Sequence, residues 1–362
     1  MSARLVRLDY LRGFAALYVC VAHLANGVLG LQNLATIPFR FGQEAVVLFF
    51  LISGFVIYYS YEQAADKRFS TYLRQRARRI FPMFAVALCL SYVVAVDQPD
   101  AGLDTLVWNL LMLQDTAFAK PGVWAPAYAG NLPLWSLSYE WWFYLLFFPV
   151  RRFVPGRLQK YLAVALSVTA IVVYNMVPNQ PCLFLGYFAI WWTGAELART
   201  YCDGTGPGWE NLFPVAVVTA AFAVPAIFAV LRGTAFAPGL HPFLELRHAG
   251  FGLIAVATGL VWRRWRWRGF DPIFATFGAV APISYALYLF HFPLISWRFA
   301  GLLPEPLDLV GCLMLLVAMS AVLEGPVQSW VNRRFSWRAP PPVPLQPVFV
   351  SGAERALNSP RD

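Results

Sequence analysis

The 362-residue chain predicts an all-α polytopic membrane protein of about ten transmembrane helices with both termini cytoplasmic. Three observations carry this. Hydrophobic residues make up 59% of the chain and charged residues 13%, about half the charged share of a soluble domain. Ten stretches of roughly 17 or more residues are apolar enough to span: about 10 to 30, 43 to 62, 80 to 97, 134 to 150, 160 to 176, 182 to 199, 213 to 231, 247 to 262, 274 to 298 and 306 to 331. Numbered as odd and even, the segments between them sort the cations, with 23 of the 28 Lys and Arg falling on the side shared by both ends of the chain.

The first stretch keeps its polar residues and has no small-residue cleavage site before it, so no removable signal peptide is expected. Asp9, Arg12, Ala16, Cys20 and His23 follow steps of three and four and form one stripe along it. Arg12 and His23 are eleven residues apart, which puts them on one face, roughly 16 Å apart along the axis. A titratable imidazole at depth marks a functional path. The plainer reading is a helix-end ion pair between Asp9 and Arg12 and a satisfied buried histidine.

The third stretch opens on RQRARRIFP, carrying Arg74, Arg76, Arg78 and Arg79. For Arg74 and Arg78, ordinary cytoplasmic topology is the better account. Arg76 and Arg79 join Arg12, Glu196 and Glu324 in an inner polar layer, where arginine forks suit a phosphorylated donor. A shorter piece, Leu103 to Leu113, reads as interfacial or re-entrant within an outer loop of about 97 to 133 that could form a partial lid.

The fourth stretch, LWSLSYEWWFYLLF, sets Glu140 among aromatic residues with Ser136 one turn earlier. In the ninth, PISYALYLFHFPLI places Ser284, Tyr288 and His291 at i, i+4 and i+7, a pattern that packing glue between helices would also explain. His23, Glu140 and His291 each lie about seven residues in from the outer end of their stretch, roughly 10 Å deep, so they could meet. The membrane domain is expected over 1–338, followed by a proline-rich, disordered cytoplasmic tail over 339–362.

The net charge of +9 follows from cationic inner loops facing anionic lipid, and WRRWRWRG at 262–269 reads as an interfacial belt, so no nucleic-acid partner is expected. Five scattered cysteines suggest neither a disulfide framework nor a zinc site, and no metal is expected. Nothing resembles a P-loop, a dinucleotide fingerprint, HExxH or a nucleophile elbow. A transporter or flippase using the intramembrane charges as a substrate path is the rival class. The absence of paired interrupted helices argues against it.

The pieces LDYLRGFAALYVCVAH, FFLISGFVI, RRIFP, LWSLSYEWWFY and ISYALYLFH, with LEGPV late in the last stretch, resemble the acyltransferase-3 family of integral membrane acyltransferases. They occur in family order from Leu8 to about Val331. The resemblance implies transfer of an acyl group, commonly acetyl from acetyl-CoA, to a hydroxyl of a cell-surface glycan, lipid-linked sugar or small metabolite at a bacterial plasma (inner) membrane. It implies an essential histidine in His23, with Glu140 and His291 as further catalytic residues. Donor-binding arginines are implied in Arg12, Arg76 and Arg79, and Tyr288, Ser284 and Ser136 are expected against the acceptor. The Glu140 carboxylate is expected to orient His23. One common family layout adds a soluble esterase-like domain after the membrane unit. Here only the tail is expected, so a separate partner protein would complete transfer or the membrane domain acts directly on its acceptor.

Overall fold

The computed structural model describes residues 5–28, 39–95, 98–297 and 304–335, and helices occupy all ten predicted stretches. The tail over 339–362 and Arg298 lie outside the described residues. Helix α1, Val6–His23, runs directly into a π-helical turn, Leu24–Val28. Helix α2 is Gly42–Gln63, and α3 is Phe69–Ala95. The arginine cluster therefore lies in the early turns of α3, and the helix begins ahead of its apolar part, at Phe69.

The piece near 103 is α4, Leu103–Leu110, whose eight residues are too short to cross a hydrocarbon layer. A two-residue parallel pairing, β1 (Gln114–Asp115) with β2 (Ala125–Pro126), follows it in the outer loop. Next come α5 (Trp135–Phe153), α6 (Gly156–Met176), α7 (Gln180–Cys202), α8 (Phe213–Leu231) and α9 (Phe243–Arg264).

The ninth stretch is broken. Helix α10, Phe270–Phe274, passes through tight turns at 275–279 and 281–283 into α11, Ser284–Trp297, with a bend of 47°. Gly278 and Pro282 supply the break, since proline offers no N–H to continue the ladder. Helix α12, Glu305–Val322, continues through a second π-helical turn, Leu323–Val327, into α13, Gln328–Arg334.

Among the described residues, seven helices are long and apolar enough to cross a membrane, or eight if the bent pair counts as one crossing. Helices α5 and α7 fall short of that measure, so the count of ten goes beyond what length and composition support. The shortfall has a physical reason. Tyr187, Phe188, Trp191 and Trp192 of α7 are fully buried, and so are Tyr139, Phe143 and Phe147 of α5. A helix enclosed by protein can carry aromatic and polar residues that a lipid-facing helix cannot.

At the centre α2 and α7 pack backbone to backbone. A Cβ on Gly54 would strike the Trp191 carbonyl, and one on Gly194 would strike the Leu51 carbonyl. Gly13 brings α1 equally close to the Phe277 carbonyl in the turn before α11. These approaches lock α2 to α7 and set α1 beside the turn that leads into α11.

Candidate active site

His23 and His291 meet. His23 Nδ1 lies 2.8 Å from His291 Nε2, and His291 Nδ1 lies 3.1 Å from the Leu287 carbonyl. The carbonyl only accepts, so in the neutral pair His291 carries its proton on Nδ1 and offers the Nε2 lone pair. His23 must then donate from Nδ1, which leaves its Nε2 an unprotonated acceptor. No hydrogen bond to His23 Nε2 is present among the described residues. His291 is fully buried and Phe292 packs edge-on against the His23 ring, so both imidazoles are held in place. Immediately after His23 the helix widens into its π-helical turn, a feature frequent at functional sites.

One turn below His291 on α11, Tyr288 donates to the Pro133 carbonyl at 2.8 Å and lies 2.8 Å from Ser136 Oγ of α5. Glu140 lies one turn further along α5. Its Oε1 accepts from Ser53 Oγ at 2.8 Å and from the Tyr144 hydroxyl. Trp191 Nε1 in turn donates to Ser53 Oγ at 3.2 Å. The expected contact between Glu140 and His23 is therefore replaced. Position i+4 on α5 keeps Glu140 level with Ser53 and Tyr144, below the dyad, and the group on His23 Nδ1 is His291.

Toward the predicted cytoplasmic side, Glu324 lies within the second π-helical turn. Its Oε1 accepts from the backbone N–H groups of Tyr285 and Ala286 at 2.7 and 2.8 Å, capping the start of α11. Its Oε2 pairs with Arg79 Nη1 at 2.8 Å, while the Arg79 guanidinium lies over the Tyr285 ring. Arg12 is within electrostatic reach of both Arg79 and Glu324. The polar residues thus form a column from the dyad through Tyr288 and Glu140 to a cationic inner end. A fixed acceptor, hydroxyls at mid-depth and cations at the foot can hold an anionic donor below and deprotonate a nucleophile above.

The profile of the family described as an acyltransferase domain matches residues 5–324. The chain belongs to the acyltransferase-3 family. No curated protein and no solved structure is found to match it. The chain is accordingly a membrane acyltransferase with several spanning helices.

The acyltransferase does not bring every expected residue to the column in the same way. Arg12 Nη2 makes the helix-end ion pair with Asp9 at 2.9 Å, and it also reaches the Ala281 carbonyl at 3.3 Å. Its Nε is buried with no hydrogen-bond partner among the described residues. Arg76 Nη2 donates to Ser60 Oγ at 2.6 Å, its guanidinium lies over the Tyr72 ring, and its Nε also has no hydrogen-bond partner among the described residues. Ser284, expected at the acceptor, is fully buried and donates to the Ala281 carbonyl at 2.8 Å, because it begins α11 and closes the preceding turn. Ser53, Tyr144, Tyr285 and Trp191 were not singled out from the sequence. Tyr144 was within reach of that reasoning, since it stands four residues after Glu140 and so shares its face.

Proposed function

We propose that this acyltransferase moves an acyl group, acetyl foremost, from acyl-CoA to a hydroxyl of a cell-surface glycan, lipid-linked sugar or small metabolite. It would do so as an integral protein of a bacterial plasma (inner) membrane, crossing about ten times with both termini cytoplasmic. The observation that carries this reading is the relay from the Leu287 carbonyl through His291 to His23, which leaves the His23 Nε2 lone pair free.

His23 Nε2 takes the proton of the acceptor hydroxyl as its oxygen attacks the thioester carbonyl carbon. Collapse of the tetrahedral adduct breaks the C–S bond, and the thiolate recovers the proton from His23 Nε2, so CoA leaves as a neutral thiol. His291 accepts the Nδ1 hydrogen bond throughout and keeps the ring in the tautomer that can act as base. Arg12, Arg76 and Arg79 bind the donor phosphates, with the pantetheine arm rising along the α1 stripe. Tyr288 and Ser136 stand against the acceptor or the carbonyl oxygen. Glu140 acts through the hydroxyls of Ser53 and Tyr144.

Thiol release from acetyl-CoA by membranes containing the protein tests the reading. His23→Ala at normal membrane abundance is expected to abolish acceptor-dependent release. Substantial release by that variant removes His23 from the reaction.

A further inference from the structure

Beyond the column, a second group of polar side chains is enclosed where α2, α7 and α9 meet at their predicted outer ends. Glu44, in the first turn of α2, is 2% exposed, and Glu245 and His248 of α9 are each 1% exposed. Glu44 pairs with Arg247, and Glu245 Oε2 lies 3.2 Å from His241 Nδ1. His248 Nδ1 lies 2.8 Å from the Tyr187 hydroxyl, and its ring stacks parallel to Trp135. Glu245 and His248 are three residues apart and share one face of α9. Tyr187 is also within electrostatic reach of Glu44, Glu245 and Asp115.

Beyond these pairs, three atoms of the cluster are among the buried side-chain polar atoms with no hydrogen-bond partner among the described residues. They are Glu44 Oε2, Glu245 Oε1 and His248 Nε2. Native interiors rarely leave such atoms unpaired, and a concentration of them points to a partner that comes and goes. Two chain neighbours link the cluster to the site. A Cβ on Gly42 at the start of α2 would lie 3.2 Å from Ala22, the residue before His23, and Trp135 precedes Ser136.

We propose that Glu44, Glu245 and His248 bind a neutral, polyhydroxylated unit of the acceptor, and so hold a neighbouring hydroxyl at His23. This rests on the reading of His23 as the base. The orphaned atoms are chiefly carboxylate acceptors, which call for several O–H donors. The nearby charges come close to balance, with Lys120 and Arg247 against Glu44, Asp115 and Glu245, and His241 at the rim, so a strongly charged ligand is not favoured. His241 and Arg247, 20% and 27% exposed in their side chains, are the more exposed members of the cluster.

The test is thermal unfolding of the full-length protein in detergent across concentration series of D-glucose, N-acetylglucosamine and, as a charged contrast, ethanolamine. A neutral sugar should raise the midpoint saturably, and Glu245→Gln and His248→Phe should each weaken the apparent affinity by about tenfold or more. Without sugar, Glu245→Gln should stay close to the parent in stability, because the amide keeps an acceptor for His241 and the oxygen it replaces has no hydrogen-bond partner among the described residues. A rise that never saturates, or one equal in parent and variants, is the general osmolyte effect and overturns the proposal. So does saturable stabilisation by ethanolamine alone, or loss of ligand-free stability in both variants. His23→Ala should keep the sugar response while losing acyl transfer. Retained transfer in His23→Ala would sink the base assignment and leave sugar binding to be judged by the other arms.

Discussion

His291 presents Nε2 to His23 Nδ1 at 2.8 Å while its own Nδ1 is tied to the Leu287 carbonyl at 3.1 Å. The backbone of α11 therefore sets which nitrogen of His23 is basic, through one intervening ring. His291→Ala should lower turnover by about 10²-fold or more with little change in the donor KM, since loss of tautomer control acts on the proton-transfer step. His291→Gln, whose amide oxygen can accept from His23 Nδ1–H, should retain more activity than the alanine variant. Steady-state acyl transfer with varied acetyl-CoA separates the two. Equal activity in both variants would assign His291 to packing alone.

Glu324 joins two elements that the sequence keeps far apart, the start of α11 and Arg79 of α3. Glu324→Ala would leave two backbone donors of a buried helix start unpaired, a loss of about 1–3 kcal/mol. Arg79 is 41% exposed in its side chain and can turn to water, so it adds little to that figure. Glu324→Gln preserves an acceptor for the N–H groups and should unfold close to the parent in a thermal melt. A melt of Glu324→Ala indistinguishable from the parent would show that the cap contributes nothing.

The donor end is tested by kinetics rather than stability. Arg76 has a buried Nε without a hydrogen-bond partner among the described residues and Arg79 is partly exposed, so both can turn to a phosphate. Arg76→Ala and Arg79→Ala should each raise the acetyl-CoA KM about tenfold with a smaller effect on kcat. Unchanged donor dependence in both would return these arginines to topology.

How much of this was legible in the sequence follows from which interactions are local. The α1 stripe and the spacing of Ser284, Tyr288 and His291 are helix periodicity, readable from spacing alone, and the shared depth of the two histidines follows from counting in from helix ends. Their contact depends on α1 and α11 being neighbours, which the close approach at Gly13 helps to set and no spacing rule shows. The Glu140 partner was misjudged for the same reason. Depth arithmetic placed Glu140 level with His23, but Ser53 and Tyr144 take up its Oε1. Ser284 looked like a member of the stripe, yet a serine beginning a helix is often used by its own backbone, as here. The enclosed cluster of Glu44, Glu245 and His248 went unread because α2 and α9 are two hundred residues apart in sequence and meet only in the fold.

Orientation in the membrane can be checked chemically. Phe118, in the loop between α4 and α5, is 67% exposed. A cysteine there, in a protein whose exposed Cys89 and Cys202 are replaced by serine, should react with a membrane-impermeant maleimide on intact cells. Gly122 is a poorer site, since its φ is +75° and a side chain would press on Pro178. Labelling of Phe118→Cys only after lysis would invert the proposed topology.

The α2–α7 contact leaves no room for a side chain. A Cβ on Gly194 would meet the Leu51 carbonyl, which is backbone and cannot step aside. Gly194→Val should therefore force the two helices apart and abolish folded protein in detergent. Gly250, with open space at its Cβ position, should accept alanine with little effect on the same size-exclusion profile. A Gly194→Val protein that elutes and melts like the parent would contradict the packing described.

Lys120 and Asp115 form a pair 2.9 Å apart, with side chains 1% and 0% exposed, that pins the outer loop to α5 and α7. Asp115 also accepts from the Tyr139 hydroxyl at 2.6 Å and from the Thr116 backbone N–H at 2.6 Å, and the Lys120 ammonium lies over the Trp135, Tyr139 and Tyr187 rings. Removing one partner strands a charge, so Lys120→Met should cost about 3–5 kcal/mol. Asp115→Asn in that background removes the stranded carboxylate while keeping acceptor and donor capacity toward Tyr139 and Thr116. The double variant should consequently melt above Lys120→Met alone, the coupling expected when the second change removes a stranded charge. Additive losses from the two changes would mean that packing of the lysine stem, not its charge, holds the loop in place.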